Sequence, residues 1–150
     1  MSLHILDTDI ASLFREGHPE VTRRVLAHPP SELAVTVITV EEMLAGWFQK
    51  LRQKNTPERL EAIYGQMTRT VVYLGRFNVL SYTVATHTRY LQLDAMKLNV
   101  RPFDLRIAAM AVEANGTIVT RNRRDFERVP GLIVEDWSTR DAERPSPPSP

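Results

Sequence analysis

Residues 4–12 read HILDTDIAS. His4, Ile5 and Leu6 make a short run of strand character near the N-terminus, and Asp7-Thr8-Asp9 stops it. Aspartate is a poor strand residue but a good turn and helix-cap residue. Two readings follow. In one, an Asp or Thr simply opens the helix that carries Ile10, Leu13 and Phe14. In the other, the acids stand at the end of a strand as part of a carboxylate cluster. Acids in equivalent places elsewhere decide between the two.

The same order of strand, polar junction and helix recurs outward from this stretch. Apolar runs at 3–6, 33–38, 79–80 and 117–120 predict strands, and a fifth at 132–135 closes the sheet. Val40, Met43, Leu44, Trp47, Phe48 and Leu51 repeat at helical spacing. KNTP at 54–57 breaks that helix and puts Pro57 in the first turn of the next, where Leu60, Ile63, Tyr64, Met67 and Val71 continue the stripe. Further helices are predicted over 84–98 and 104–114, the second ended by Asn115-Gly116 as a C-cap pair. Strands alternating with helices imply an α/β fold with a mainly parallel sheet. Trp47 and Phe48 are read as core.

The composition is that of one globular domain: 150 residues, 43% hydrophobic and 25% charged. No stretch of ~18 apolar residues occurs, so no membrane span is expected. Nor does the start show a basic region followed by a long apolar one, so no signal peptide is expected. The absence of cysteine rules out disulfides and thiolate metal sites, and fits a reducing, cytoplasmic compartment. With a net charge of +1, nucleic-acid contact has to come from a local patch. The domain is expected over 1–137. Residues 138–150, with four prolines in the last six, read as a disordered tail.

In open parallel sheets, ligands sit beyond the carboxyl ends of the strands. Asp7 follows the first strand, Glu41-Glu42 follow LAVTVIT, Asp104 opens a helix after NVRPF, and Asp125 comes soon after TIVT. Each has a plain structural reading too. Asp7 and Asp104 suit N-caps, Thr39 and Glu42 match a capping box, and Asp125 suits the cap of a short DFERV turn. Spacing does not choose between Glu41 and Glu42. If the strand ends converge, these acids repel one another until a cation joins them. Carboxylates without neighbouring His or Cys suit Mg²⁺ or Mn²⁺, and the natural chemistry of such a site is phosphodiester hydrolysis. His4, His18, His28 and His87 have no metal-ligand spacing and are read as surface or packing residues.

Four blocks, ILDTDIASL, ITVEEMLAG, RPFDLRIAAMAV and TIVTRNRRDFERVPGLIVEDW, stand in an order and spacing that resemble a PIN-domain protein, specifically a VapC-type toxin of a toxin–antitoxin pair. The resemblance covers 3–137. It implies a PIN-like α/β/α sandwich with a helical hairpin, and an Mg²⁺- or Mn²⁺-dependent endoribonuclease. It puts the family's acids on Asp7, Glu42 (not Glu41, since Met43 and Gly46 follow in register), Asp104 and Asp125. Asp7, Glu42 and Asp104 would hold the main ion, and Asp125 would complete that site or a second one. Thr8, Thr120 and Asn122 match the polar positions that support the acids. The implied partners are RNA, a VapB-like antitoxin docked on the helical hairpin, and a second copy in a homodimer within a toxin–antitoxin hetero-oligomer.

Two departures stand out. Asp9 occupies a place where many relatives have Asn, and is read as a cap of the first helix. Arg106 replaces a residue that is often uncharged, and is read as reaching for a phosphate. Arg121, Arg123 and Arg124 surround Asn122 and are the candidate RNA-backbone contacts, because a planar guanidinium binds two phosphate oxygens at once. Two other functions stay open at this point. A haloacid-dehalogenase-like phosphatase shares an Asp-x-Asp after a strand, although Ala11 stands where its motif has Thr or Val. A non-catalytic binding module would use the acids only as caps.

Overall fold

The structure, a computed structural model, describes residues 2–140. Its elements run β1 (His4–Leu6), α1 (Thr8–Arg15), α2 (Pro19–Leu26), β2 (Leu33–Thr36), α3 (Val37–Leu51), α4 (Pro57–Leu74), β3 (Asn78–Leu80), α5 (Val84–Ala95), α6 (Pro102–Glu113), β4 (Thr117–Val119), α7 (Arg123–Phe126) and β5 (Ile133–Glu135). All strand pairs are parallel, in the order β3-β2-β1-β4-β5. β1 is central: His4 pairs with Leu33 on one side and Thr117 on the other, and Leu6 pairs with Val119.

Alternation along the strands divides the core in two. Ile5, Ala34, Ile118 and Val134 face the layer of α5, α6 and α7, where they meet Leu93, Ile107, Ala108 and Phe126. Leu6, Val35 and Val119 face α1, α2 and the end of α4, where they meet Ile10, Val21, Val25 and Tyr73. The result is the expected α/β/α sandwich. A parallel sheet covered on both faces explains why its strands read as short continuous apolar runs. No helix among the described residues is long and apolar enough to cross a membrane.

Several local expectations are corrected. The segment 33–38 is not one strand. Thr36 caps α3, its Oγ1 accepting the Thr39 N–H at 3.2 Å, so the helix begins three residues before the Thr39–Glu42 box would place it. Asp104 and Asp125 are not caps either: they lie in the first turns of α6 and α7, behind Arg101 and Asn122. After α6 it is Asn115, with φ 53°, that turns left-handed. Gly116 is needed for a different reason. A Cβ there would lie 2.9 Å from Ile5 Cδ1 and 3.1 Å from the Leu3 carbonyl, so the chain passes too close to β1 for a side chain. Helix α2 has no counterpart among the expected elements, because its buried stripe is only Val21 and Val25.

The predicted hairpin is α3 and α4, with Thr56 as N-cap and Pro57 in the first turn of α4. Trp47 and Phe48 are not core residues. Phe48 is 47% exposed, and Trp47 lies at the surface with its Nε1–H donated to Thr70 Oγ1 at 3.1 Å and Lys50 Nζ 4.6 Å above its ring. The buried residues of the hairpin cluster at the start of α3 and along one side of α4, which leaves its outer part, with Tyr64 and Val72, exposed. At the other terminus, Ser138 donates to Asp136 Oδ1, and Arg140 stands 3.7 Å from Glu20. The rest of the expected tail, 141–150, lies outside the described residues.

Candidate active site

The sheet register carries the chain from β1 directly into Asp7, whose N–H still donates to the Val119 carbonyl at 2.9 Å. Asp7 also caps α1. Its Oδ1 accepts from the Thr8 N–H at 2.8 Å, and its Oδ2 accepts from the Thr120 hydroxyl at 2.9 Å. Thr120 follows β4, so two neighbouring strand ends share this contact. Thr120 Oγ1 also accepts from the Asn122 N–H at 2.9 Å, and the Asn122 amide donates to Asp125 Oδ2 at 3.0 Å. Arg128 holds the other Asp125 oxygen at 3.2 Å. Asp7 and Asp125 are thus the two ends of one hydrogen-bonded chain.

Glu42 reaches the same edge from the second turn of α3. The Thr8 hydroxyl donates to Glu42 Oε1 at 2.9 Å. Having given its only proton, Thr8 accepts from Thr39 Oγ1 at 3.0 Å. Thr39 is fully buried, and its role is this contact, not a cap. Asp104, almost fully buried, accepts from both Arg101 Nε (3.2 Å) and Arg101 Nη2 (3.1 Å), on the same oxygen, Oδ2.

Burial pushes the Asp7 carboxyl up to about 7. The charges of Asp9 and Asp104 add to this, and the Thr120 and Thr8 hydrogen bonds oppose it. Burial also raises Glu42 against the Thr8 hydrogen bond, with the Asp104 charge adding to the rise. Asp104 is raised by burial despite Arg101, and Asp125 and Asp9 contribute to the rise. The acids therefore repel one another across one edge of the sheet. Among the described residues, no three His, Cys, Asp or Glu side chains stand close enough together to cage an ion. Mg²⁺ rarely needs such a cage: it keeps several waters and takes one or two carboxylates plus substrate phosphate. An unsatisfied acceptor also waits here, since Asp9 Oδ1 is buried without a hydrogen-bond partner. With only oxygen donors at hand, the residues present fit a hard divalent cation. The histidines lie elsewhere: His18 caps α2, His87 meets the Tyr82 hydroxyl, and His4 and His28 stack with Trp137.

Asp9 does not cap α1, because Asp7 already does. Asp9 sits in the first turn, with Oδ2 3.3 Å from Arg121 Nε. Of the other candidate arginines, Arg123 pairs with Glu127, Arg124 is exposed, and Arg106 lies over the Tyr90 and Phe103 rings. Arg101 was not among the residues singled out from the sequence. Its only signal there is the i,i+3 spacing to Asp104. The two competing functions lose their footing. Only Asp7 among the four acids is a cap, and Ala11 is buried in the core, so no phosphatase-type hydroxyl stands at that position.

Known proteins share this sequence pattern and fold. Residues 5–132 match the model of the PIN domain family. The chain is 32% identical over 139 residues to the tRNA(fMet)-specific endonuclease VapC of Shigella flexneri, covering 89% of this chain and 97% of that one. Among solved structures it resembles the DNA-bound VapBC of Salmonella typhimurium, at 28% identity and a TM-score of 0.70, over 91% of this chain and 99% of that one. The VapBC2 of Rickettsia felis bound to a promoter DNA fragment shares the fold at 22% identity and a TM-score of 0.67, over 90% and 98% of the two chains. With its central sheet, its acidic strand edge and these matches along nearly its whole length, the chain belongs to the PIN-domain family, in the VapC ribonuclease branch.

Proposed function

We propose that this protein is a toxin that cuts RNA at phosphodiester bonds with a divalent cation, Mg²⁺ or Mn²⁺, held by Asp7, Glu42 and Asp104, with Asp125 completing the site. The observation that carries the reading is the placement of these mutually repelling carboxylates, Asp7 and Asp104 buried and Glu42 and Asp125 partly so, along one strand edge, where Asp7 is pushed up to about 7. A bound divalent cation removes that repulsion and supplies positive charge against the phosphoryl oxygens.

The chain's own residues do the positioning. Thr120 and the Thr8 N–H fix both Asp7 oxygens, and the Thr8 hydroxyl, backed by Thr39, aims Glu42. Asn122 and Arg128 hold Asp125. Arg121, beside Asp9, is the best placed of the candidate arginines to meet the RNA backbone, and Arg124 lies exposed beside it in sequence. Two relatives bear the name tRNA(fMet)-specific endonuclease, which makes transfer RNA the first substrate to test. The protein partner is a VapB-like antitoxin. Its docking surface is the outer face of α3 and α4, next to a cavity of about 480 Å³ lined by Met43, Trp47, Gln66 and Thr70. A homodimer forms the core of that assembly.

The test is cleavage of a mixed RNA pool by antitoxin-free protein, with Mg²⁺, with Mn²⁺ and with chelator, beside Asp104→Asn. Discrete fragments that require the cation and vanish in the variant are expected. Cleavage that persists in chelator, or in the variant, overturns the reading.

A further inference from the structure

One side chain at the acidic edge has no part in the function proposed above. Arg101 precedes Pro102 at the N-cap position of α6 but makes no capping hydrogen bond. Instead its guanidinium folds over the start of the helix and places both Nε and Nη2 on Asp104 Oδ2. The two partners differ sharply in exposure. The Asp104 side chain is 4% exposed and the Arg101 side chain 74%. The arginine therefore reaches a buried carboxylate from the solvent side of the cleft.

We propose that Arg101 is a built-in competitor for the divalent cation: its ion pair with Asp104 opens when the cation binds, and the released guanidinium then takes a phosphate of the RNA. The inference rests on the cation-site reading above. Three observations carry it. First, both donors sit on one oxygen of the carboxylate assigned to the cation, so guanidinium and cation compete for the same negative charge. Second, the guanidinium lies on the solvent side of the pair, so it can leave the carboxylate directly into water. Third, the arginine is anchored at the rim by the rigid Pro102, so on release its head stays beside the cleft. A planar guanidinium freed there faces the phosphates it binds best. Arg101 is thus a positioning residue that counters the acids in one state and the substrate in the other.

The test uses full-length, metal-free protein and two titrations on wild type, Arg101→Ala and Arg101→Gln. The first measures Mn²⁺ affinity by calorimetry. The second measures binding of a single-stranded phosphorothioate RNA in the presence of Mn²⁺. Loss of the guanidinium is expected to tighten Mn²⁺ binding by about fivefold or more and to weaken RNA binding by a similar factor. Opposite signs in the two titrations are the signature, because a residue that merely oriented Asp104 would weaken both. Equal Mn²⁺ affinity in all three proteins, or weaker Mn²⁺ binding in both variants, overturns the competitor role alone. No Mn²⁺ binding by any of the three overturns it together with the cation site.

Discussion

His4 opens β1 and Asp7 follows its last residue, and burial pushes both toward their neutral forms. His4 falls below its usual value, mainly through burial, with Glu135 opposing. Asp7 rises to about 7. Their surroundings differ in kind. His4 stacks on His28 and Trp137, and Trp137 is closed in further by the Arg24 guanidinium 5.8 Å away and by its own Nε1–H on Glu135 at 2.9 Å. That end of the strand is closed by aromatic rings, with His4 Nδ1 buried among them without a hydrogen-bond partner. At the Asp7 end the partners donate to a carboxylate while the charges of Asp9 and Asp104 oppose its ionisation. The two ends of a strand three residues long thus differ in what surrounds them, rings at one and carboxylates at the other.

Four substitutions sharpen this contrast. Trp137→Ala, at the aromatic end, should cost about 3–5 kcal/mol in chemical denaturation, as for other buried aromatic truncations, while Mn²⁺ affinity of the folded protein stays unchanged. Asp104→Asn, at the acidic end, should leave the fold intact and cut the cleavage rate at least about 100-fold, the upper end of what losing an outer partner of a metal site costs. Asp7→Asn should stabilise the metal-free protein by up to about 4 kcal/mol at pH 8 and by nothing at pH 4. The sign follows from linkage. A raised carboxyl pKa means the folded state keeps a proton that the unfolded chain loses near pH 4, so wild-type stability falls as pH rises from about 4 to about 7. Thermal melts across that range should slope downward for wild type and lie flat for the variant. His4→Phe should have the smallest effect and the opposite slope. A lowered histidine pKa makes wild-type stability fall as pH drops below 6.5, and the substitution removes that fall. Melts at pH 5 and pH 7 compare the two slopes.

Much of the frame was legible because parallel strands and capped helices carry strong local signals. The apolar runs at 3–6 and 117–120, Pro57 in its helix turn, and the acids beyond the strand ends are read from neighbouring residues alone. Misplaced features depended on distant parts of the chain. Whether Thr36 or Thr39 caps α3 is decided by where β2 leaves the sheet, since both offer a hydroxyl. Trp47 and Phe48 keep core spacing, but only the start of their helix, at Ile38 and Thr39, is buried. Arg101 was invisible as part of the acidic edge because its role appears only once Asp104 is known to be buried. Thr8 was named as a support for the acids, yet its partner Glu42 lies 34 residues away.

The contact between Thr120 and Asp7 spans 113 residues of chain. Its consequence falls during synthesis. β1 leaves the ribosome among the first residues, and β4, which must pair beside it, is among the last. Long-range parallel pairing of this kind is slow and waits for its partner. A ribosome-bound chain stopped before residue 117 therefore carries Asp7, Glu42 and Asp104 but not the strand that holds Asp7 in place. Until β4 is made, the Thr120 hydroxyl that holds Asp7 Oδ2 is missing, so this contact of the acidic edge is completed only after most of the chain has been synthesised.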